Sequence, residues 1–121
     1  MRLWRLRPSE ITFSQDSISW SFADGHSLEQ TYEDLLSGRC KVEDIEKIKI
    51  TWQSHEKSPG KACWWTYTGN RRLSLFQRLE DEGRLQFLVA EWVNEPVPEW
   101  RMTTVNGGRR PRTQGTRSAW K

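Results

Sequence analysis

Several residue types and patterns that usually expose a site are scarce in this sequence. Two cysteines in 121 residues, Cys40 and Cys63, are too few for a disulfide framework, and a reducing, intracellular compartment is expected. The two histidines, His26 and His55, do not fall at metal-ligand spacing with either cysteine, so no metal site is expected. No apolar run approaches membrane-spanning length and no signal-peptide apolar core is present, which excludes a membrane partner at this stage. The basic and apolar stretch Met1–Pro8 is too short to be read as a targeting segment. With no internal repeat and no linker-like interior, a single domain is expected.

Charge is distributed unevenly along the chain. The net charge of +3 combines a body with thirteen basic and sixteen acidic residues, ending at Trp100, with a tail of six basic residues and no acid. Residues 1–100 therefore read as the folded domain and 101–121 as a basic Gly/Arg-rich tail. An acidic body with a basic tail suits an acidic partner, most simply the phosphates of RNA or DNA, and Arg109, Arg110, Arg112 and Arg117 are the candidate contacts. Eight tryptophans are the other excess. Trp64 and Trp65 are adjacent, so on a strand they face opposite sides of a sheet, and both sides must be at least partly covered. Most of the eight are expected in cores, with one or two left to act as stacking surfaces.

Hydrophobic spacing divides the chain into elements. Glu10–Phe13 and Ser17–Phe22 alternate as short strands, with Ser14-Gln15-Asp16 between them and Asp24-Gly25 as a turn. Ser27 with Gln30 three residues on predicts a capping box, opening a helix whose face is Leu28, Tyr32, Leu35 and Leu36 and which Gly38 ends. Val42–Ile45 predicts one more helical turn. Ile48–Trp52 and Ala62–Tyr67 predict strands joined by a polar connection. Leu73, Leu75, Phe76 and Leu79 recur at helical spacing, and Gly83 ends that helix. Leu85–Val93 predicts a buried strand, and Glu99–Val105 a last one. The sum is an α+β domain with a small mixed β-sheet and two main helices.

The junction Tyr67-Thr68-Gly69-Asn70-Arg71-Arg72-Leu73 points to chemistry. A strand ends there and a helix begins, with Gly69 allowing a sharp turn and Asn70 placed to cap the helix. A helix N-terminus flanked by two arginines suits a phosphate. The alternative is that Arg71 and Arg72 pair with surface acids such as Glu43, Asp44 or Glu80.

In element order and in this turn, the chain resembles the ParB/sulfiredoxin-like fold family, specifically its small stand-alone members. In that family a strand runs into a Gly-x-Arg-Arg motif that opens a helix and holds nucleotide phosphates. Gly69, Asn70, Arg71 and Arg72 stand at those positions. The stretch Ser14-Gln15-Asp16-Ser17-Ile18, the Leu-x-x-Gly end of the first helix and the Ile-x-Ile strand extend the resemblance over about residues 9–93. Partition proteins carry Glu where this chain has Asn70, and neither their helix-turn-helix nor their dimerisation segment is expected in a chain of this length. Sulfiredoxin needs a cysteine within the turn, and neither Cys40 nor Cys63 lies there.

Two functions follow. The first is a module binding phosphate and nucleic acid through Asn70, Arg71 and Arg72 with Gln15, assisted by the tail, as an accessory subunit of a nucleic-acid-containing assembly. The second is a nucleotide-dependent enzyme, a phosphotransferase or nuclease, using a nucleotide with Mg at the same turn and Asp16 or Asp24 for proton or metal handling.

Overall fold

Alternating residues define the strands, and apolar residues at helical spacing define two helices. The computed structural model describes residues 2–15, 17–19, 27–55, 62–104, 108 and 112–114. Its strands are β1 (Arg2–Leu6), β2 (Ile11–Thr12), β3 (Ser17–Ser19), β4 (Lys49–Gln53), β5 (Cys63–Thr68), β6 (Leu88–Trp92) and β7 (Arg112–Gln114). The helices are α1 (Leu28–Ser37) and α2 (Asn70–Asp81), and short 3-10 turns occupy Pro8–Glu10, Val42–Asp44 and Glu99–Arg101.

Five strands form one mixed sheet in the order β1-β6-β4-β5-β2, while β3 and β7 pair in parallel as a separate ribbon. The α+β class with two main helices is therefore correct. In the large sheet β1–β6 and β4–β5 are antiparallel, and β4–β6 and β2–β5 are parallel. The register places Ile50 opposite Thr66 and Thr51 opposite Trp65, so the two faces separate cleanly. Leu73, Leu75, Phe76 and Leu79 of α2 are buried with Ile48, Ile50, Leu88 and Ala90 in the main core, which Phe13 and, from α1, Leu28 and Tyr32 complete. On the other face Trp65, fully buried, packs with Val97 and Met102 in a second, smaller core. Trp64 and Trp65 thus point into different clusters, as their adjacency requires.

The segment after β6 is held over Trp65 by polar contacts. Val97 N–H donates to Gln53 Oε1 at 2.7 Å, Arg101 Nη2 donates to the Tyr67 carbonyl at 2.6 Å, and His55 Nε2 lies 2.7 Å from Glu99 Oε2. Pro96 and Pro98 explain why this segment does not extend as a strand: neither offers an N–H to a ladder. Of the strand expected over Glu99–Val105, Glu99–Arg101 instead forms a 3-10 turn, and Val105 lies outside the described residues.

Three other expectations change. Arg2–Leu6, to which no element was assigned, forms β1 and pairs residue for residue with β6. The Ser27–Gln30 box is half formed: Ser27 Oγ accepts from Gln30 N–H at 3.0 Å, but the Gln30 side chain turns to Asp34 instead. Leu36 is 40% exposed and lies off the buried face of α1. Gly38 does close α1, in the left-handed conformation at φ 82°. The polar connection expected before β5 falls at residues 56–61, outside the described residues. Among the described residues no helix is long and apolar enough to cross a membrane.

The two helices meet through one polar joint. The Tyr32 hydroxyl donates to Glu82 Oε1, and the Arg78 guanidinium lies 3.8 Å from the centre of the Tyr32 ring and 3.3 Å from Glu29 Oε2. The bond to Glu82, with burial adding to it, raises the Tyr32 pKa above its ordinary value. The neutral phenol is therefore favoured in the folded protein. Its stabilisation is complete below the unfolded tyrosine value of about 10 and is lost as pH rises through the higher folded value. Tyr32→Phe is expected to lose about 1.5 kcal/mol at neutral pH and to show a shallower stability decline above about pH 10. Urea unfolding of both proteins from pH 7 to 11 measures this, and identical pH profiles would contradict it.

Candidate functional site

Gly69 starts α2 in the left-handed region, at φ 108°, and is the residue that caps it. A Cβ there would stand 3.1 Å from Arg72 Nη2 and 3.2 Å from Ile48 Cγ1, so both conformation and space favour glycine. Asn70 is the first helical residue and makes no capping bond, which corrects the capping role expected for it. The first intrahelical bond runs from Leu73 N–H to the Gly69 carbonyl at 2.9 Å. The N–H groups of Asn70, Arg71 and Arg72 precede that bond, and the helix itself offers them no acceptor.

The Asn70 side chain reaches across to the loop after β2 instead. Its Oδ1 accepts from Ser14 N–H at 3.0 Å and its Nδ2 donates to Ser14 Oγ at 3.1 Å. Asn70 is 6% and Ser14 1% exposed, so this reciprocal pair is shielded from water. The Ser14 carbonyl is also engaged, accepting from Thr103 N–H at 2.8 Å and Thr104 N–H at 3.1 Å. One residue before, Phe13 N–H donates to the Gly108 carbonyl at 2.9 Å, while Gly108 N–H donates to Thr104 Oγ1 at 2.9 Å. A Cβ on Gly108 would lie 1.8 Å from Thr12 Cγ2, so only glycine fits that approach. Ser14 is therefore the point where three pieces of chain meet: the β2 loop, the start of α2 and the segment leading into the basic C-terminal region.

Among the expected site residues, the structure brings Gly69, Asn70, Arg71 and Gln15 into one neighbourhood. Gln15 directly follows Ser14 and is half-buried, as is Arg71. Arg112 arrives by backbone pairing, opposite Ser17 in the parallel β3–β7 register, three residues beyond Ser14. Arg72 is committed elsewhere. Its Nη1 donates to the Glu46 carbonyl at 2.7 Å and the Lys47 carbonyl at 3.1 Å, with Glu46 Oε2 at 3.9 Å. Burial pulls its pKa below the ordinary guanidinium value, and the Glu46 carboxylate opposes that shift. Arg72 thus anchors the segment entering β4.

Two of the acids considered as partners for these arginines are also engaged elsewhere. Glu80 accepts from Ser9 N–H at 2.8 Å and Ser9 Oγ at 2.9 Å, and Asp44 accepts from Lys41 N–H at 3.1 Å. Asp16, Asp24, Arg109, Arg110 and Arg117 lie outside the described residues. No group of three or more His, Cys, Asp or Glu side chains suited to a metal ion occurs among the described residues. Sequence reading named Ser14 only within the Ser14–Ile18 stretch of the resemblance, and did not propose Ser14, Thr103, Thr104 or Gly108 as site residues. The bonds that bring them together at Ser14 and Phe13 span 56 to 95 residues of chain.

Removing the Asn70 side chain strands a buried N–H and a buried hydroxyl on Ser14, each costing about 1–3 kcal/mol. Asn70→Ala is expected to destabilise the protein by about 2–4 kcal/mol and Ser14→Ala by about 1 kcal/mol. A double-mutant cycle from denaturant unfolding should give a coupling of at least about 0.5 kcal/mol, whereas additive losses would show that the contact is not energetically shared. Compared with protein-family models, with curated proteins and with solved structures, the chain shows no significant match to any of them.

Proposed function

We propose that this chain is a phosphate-binding module of the ParB/sulfiredoxin-like kind that engages nucleic acid. The phosphate sits at the start of α2, and the basic C-terminal segment adds long-range attraction. The observation that carries this reading is the junction at Ser14, where Asn70 ties the β2 loop to the helix start and Thr103 and Thr104 tie the C-terminal segment to the same residue. An anion at this place gains from the N–H groups ahead of the first helical bond and from the positive end of a helix twelve residues long. Arg71 supplies the charged donor and Gln15 a neutral one, while Asn70 and Arg72 hold the geometry.

Nucleic acid is favoured over a small phosphate compound by the charge pattern. Six cations and no acid follow Trp100, and within this stretch β7 pairs with β3, Arg112 opposite Ser17. A polyanion touches both the helix start and such a tail, whereas a single phosphate touches only one. The enzymatic alternative, with a nucleotide and Mg, requires Asp16 or Asp24 beside the turn, and neither is among the described residues.

The two arginines of the turn are tested separately. Arg71→Ala is expected to weaken binding of a short structured RNA by about tenfold or more. Arg72→Ala is expected to cost about 1–3 kcal/mol of stability, through the carbonyls of Glu46 and Lys47 that it leaves without their donor. Replacing Arg109, Arg110, Arg112 and Arg117 by alanine should weaken binding and flatten its salt dependence. Titration at two salt concentrations beside thermal unfolding decides the matter. RNA affinity unchanged in Arg71→Ala overturns the assignment of the helix start.

A further inference from the structure

On the face of the sheet that α2 covers, four tryptophans lie together beyond the helix-covered core. Alternation and register bring them there: Arg2 stands opposite Trp92, Trp4 opposite Ala90, Ile50 opposite Trp92, and Trp52 opposite Trp64. Their rings form a continuous cluster, with centroids 5.1 Å apart for Trp52–Trp64, 5.5 Å for Trp4–Trp64, 6.1 Å for Trp64–Trp92 and 6.2 Å for Trp4–Trp92. Most of these contacts are edge-to-face, so the rings hold one another in fixed orientations rather than stacking face on face. Trp64 and Trp92 are half-buried, and Trp64 also packs on the main core. Trp4 and Trp52 remain 45% and 52% exposed. Indoles are costly to leave in water, and a fixed, contiguous group of them at a surface calls for a ligand.

We propose that Trp4, Trp52, Trp64 and Trp92, with Arg2, form a platform on which unpaired bases of a single-stranded nucleic acid stack. Charge selects this occupant. The Arg2 guanidinium lies 4.7 Å from the centre of the Trp92 ring, at the edge of the platform. The strand residues that share the platform's face include no aspartate or glutamate. A sugar ligand needs acceptors for its hydroxyls beside the ring, and a cationic peptide needs carboxylates. A flat apolar ring attached to a phosphate chain matches what is present: π-faces with a cation at their border. The platform is distinct from the helix-start site, since Trp64 and Asn70 are six residues apart along β5 and its exit, roughly 20 Å at strand rise. It shares with the reading above only the nucleic-acid partner.

The experiment uses the full chain and two labelled strands of equal length, oligothymidine and an abasic oligodeoxyribonucleotide, titrated by fluorescence anisotropy at low and moderate salt. The parent protein should bind the base-bearing strand at least about tenfold more tightly than the abasic one. Trp4→Ala and Trp52→Ala should each weaken oligothymidine binding by about tenfold, leave the abasic strand unaffected and keep the salt slope unchanged. Trp52→Phe, which keeps an aromatic face and places less demand on folding, should recover most of the loss. Equal binding of both strands by the parent overturns the platform while leaving the phosphate site standing, and absence of binding to either strand overturns both. A concentration-dependent dimer in sedimentation that Trp52→Ala dissolves also overturns it, because the face would then be an interface between two copies.

Discussion

The reciprocal hydrogen bond between Asn70 and Ser14 is the constraint around which the start of α2, the β2 loop and the chain after Trp100 are arranged. Neither residue can satisfy its buried polar atoms without the other. Asn70 belongs to the first turn of α2, and Ser14 follows the short β2, so the pair fixes where a loop lies relative to a helix end. Because the Ser14 carbonyl accepts two further bonds from Thr103 and Thr104, the same residue also fixes where the chain after Trp100 runs. A buried network of this kind gains from being complete: every polar atom of Ser14 has a partner, and the low dielectric around it strengthens each bond. The parallel β3–β7 ribbon then continues outward from a point already fixed.

Arg72 makes the equivalent connection on the other side of the turn. Its guanidinium lies under the Gly69 bend and reaches the carbonyls of Glu46 and Lys47, which end the segment leading into β4. Two adjacent arginines therefore have different roles. Helical geometry rotates successive side chains by about 100°, so neighbours in sequence cannot face the same way. Arg72 points to the crowded inner side and becomes structural. A motif read as a pair of equivalent charges is resolved by helix periodicity into two residues with different surroundings.

Much of this was legible before folding, and what was not has physical reasons. The β5–Gly69–α2 junction, the apolar face of α2, the Gly38 stop and the opposite orientation of Trp64 and Trp65 follow from local rules of period and backbone freedom, and each is found. Arg2–Leu6 was opaque because its alternation of arginine with Leu3, Trp4 and Leu6 is only half apolar. Its strand state comes from pairing with β6, 82 residues away at the Leu6–Leu88 end and more elsewhere, and not from its own pattern. The segment Glu99–Thr104 has strand-forming residues, but the prolines before it and the bonds from Thr103 and Thr104 to Ser14 override them. Asn70 has the chemistry of a helix cap, yet a buried partner across the sheet offers it two bonds where a cap offers one.

The sheet order ties these features to function. Placing β4 and β5 between β6 and β2 brings Trp52 and Trp64 to one end of the face shared with Trp92 and Trp4, and sends β5 directly into Gly69 at the other. The face between is filled by Ile50, Ala90 and Leu88 under α2, so the two ends are separated by rigid core instead of a linker. A rigid separation matters for a polyanion. If both ends engage one strand, the second contact forms at an effective concentration set by the core, without the ordering cost that a flexible connection carries. The sheet therefore fixes the spacing between the start of α2 and the tryptophan cluster, the two places at which phosphate and bases are proposed to bind.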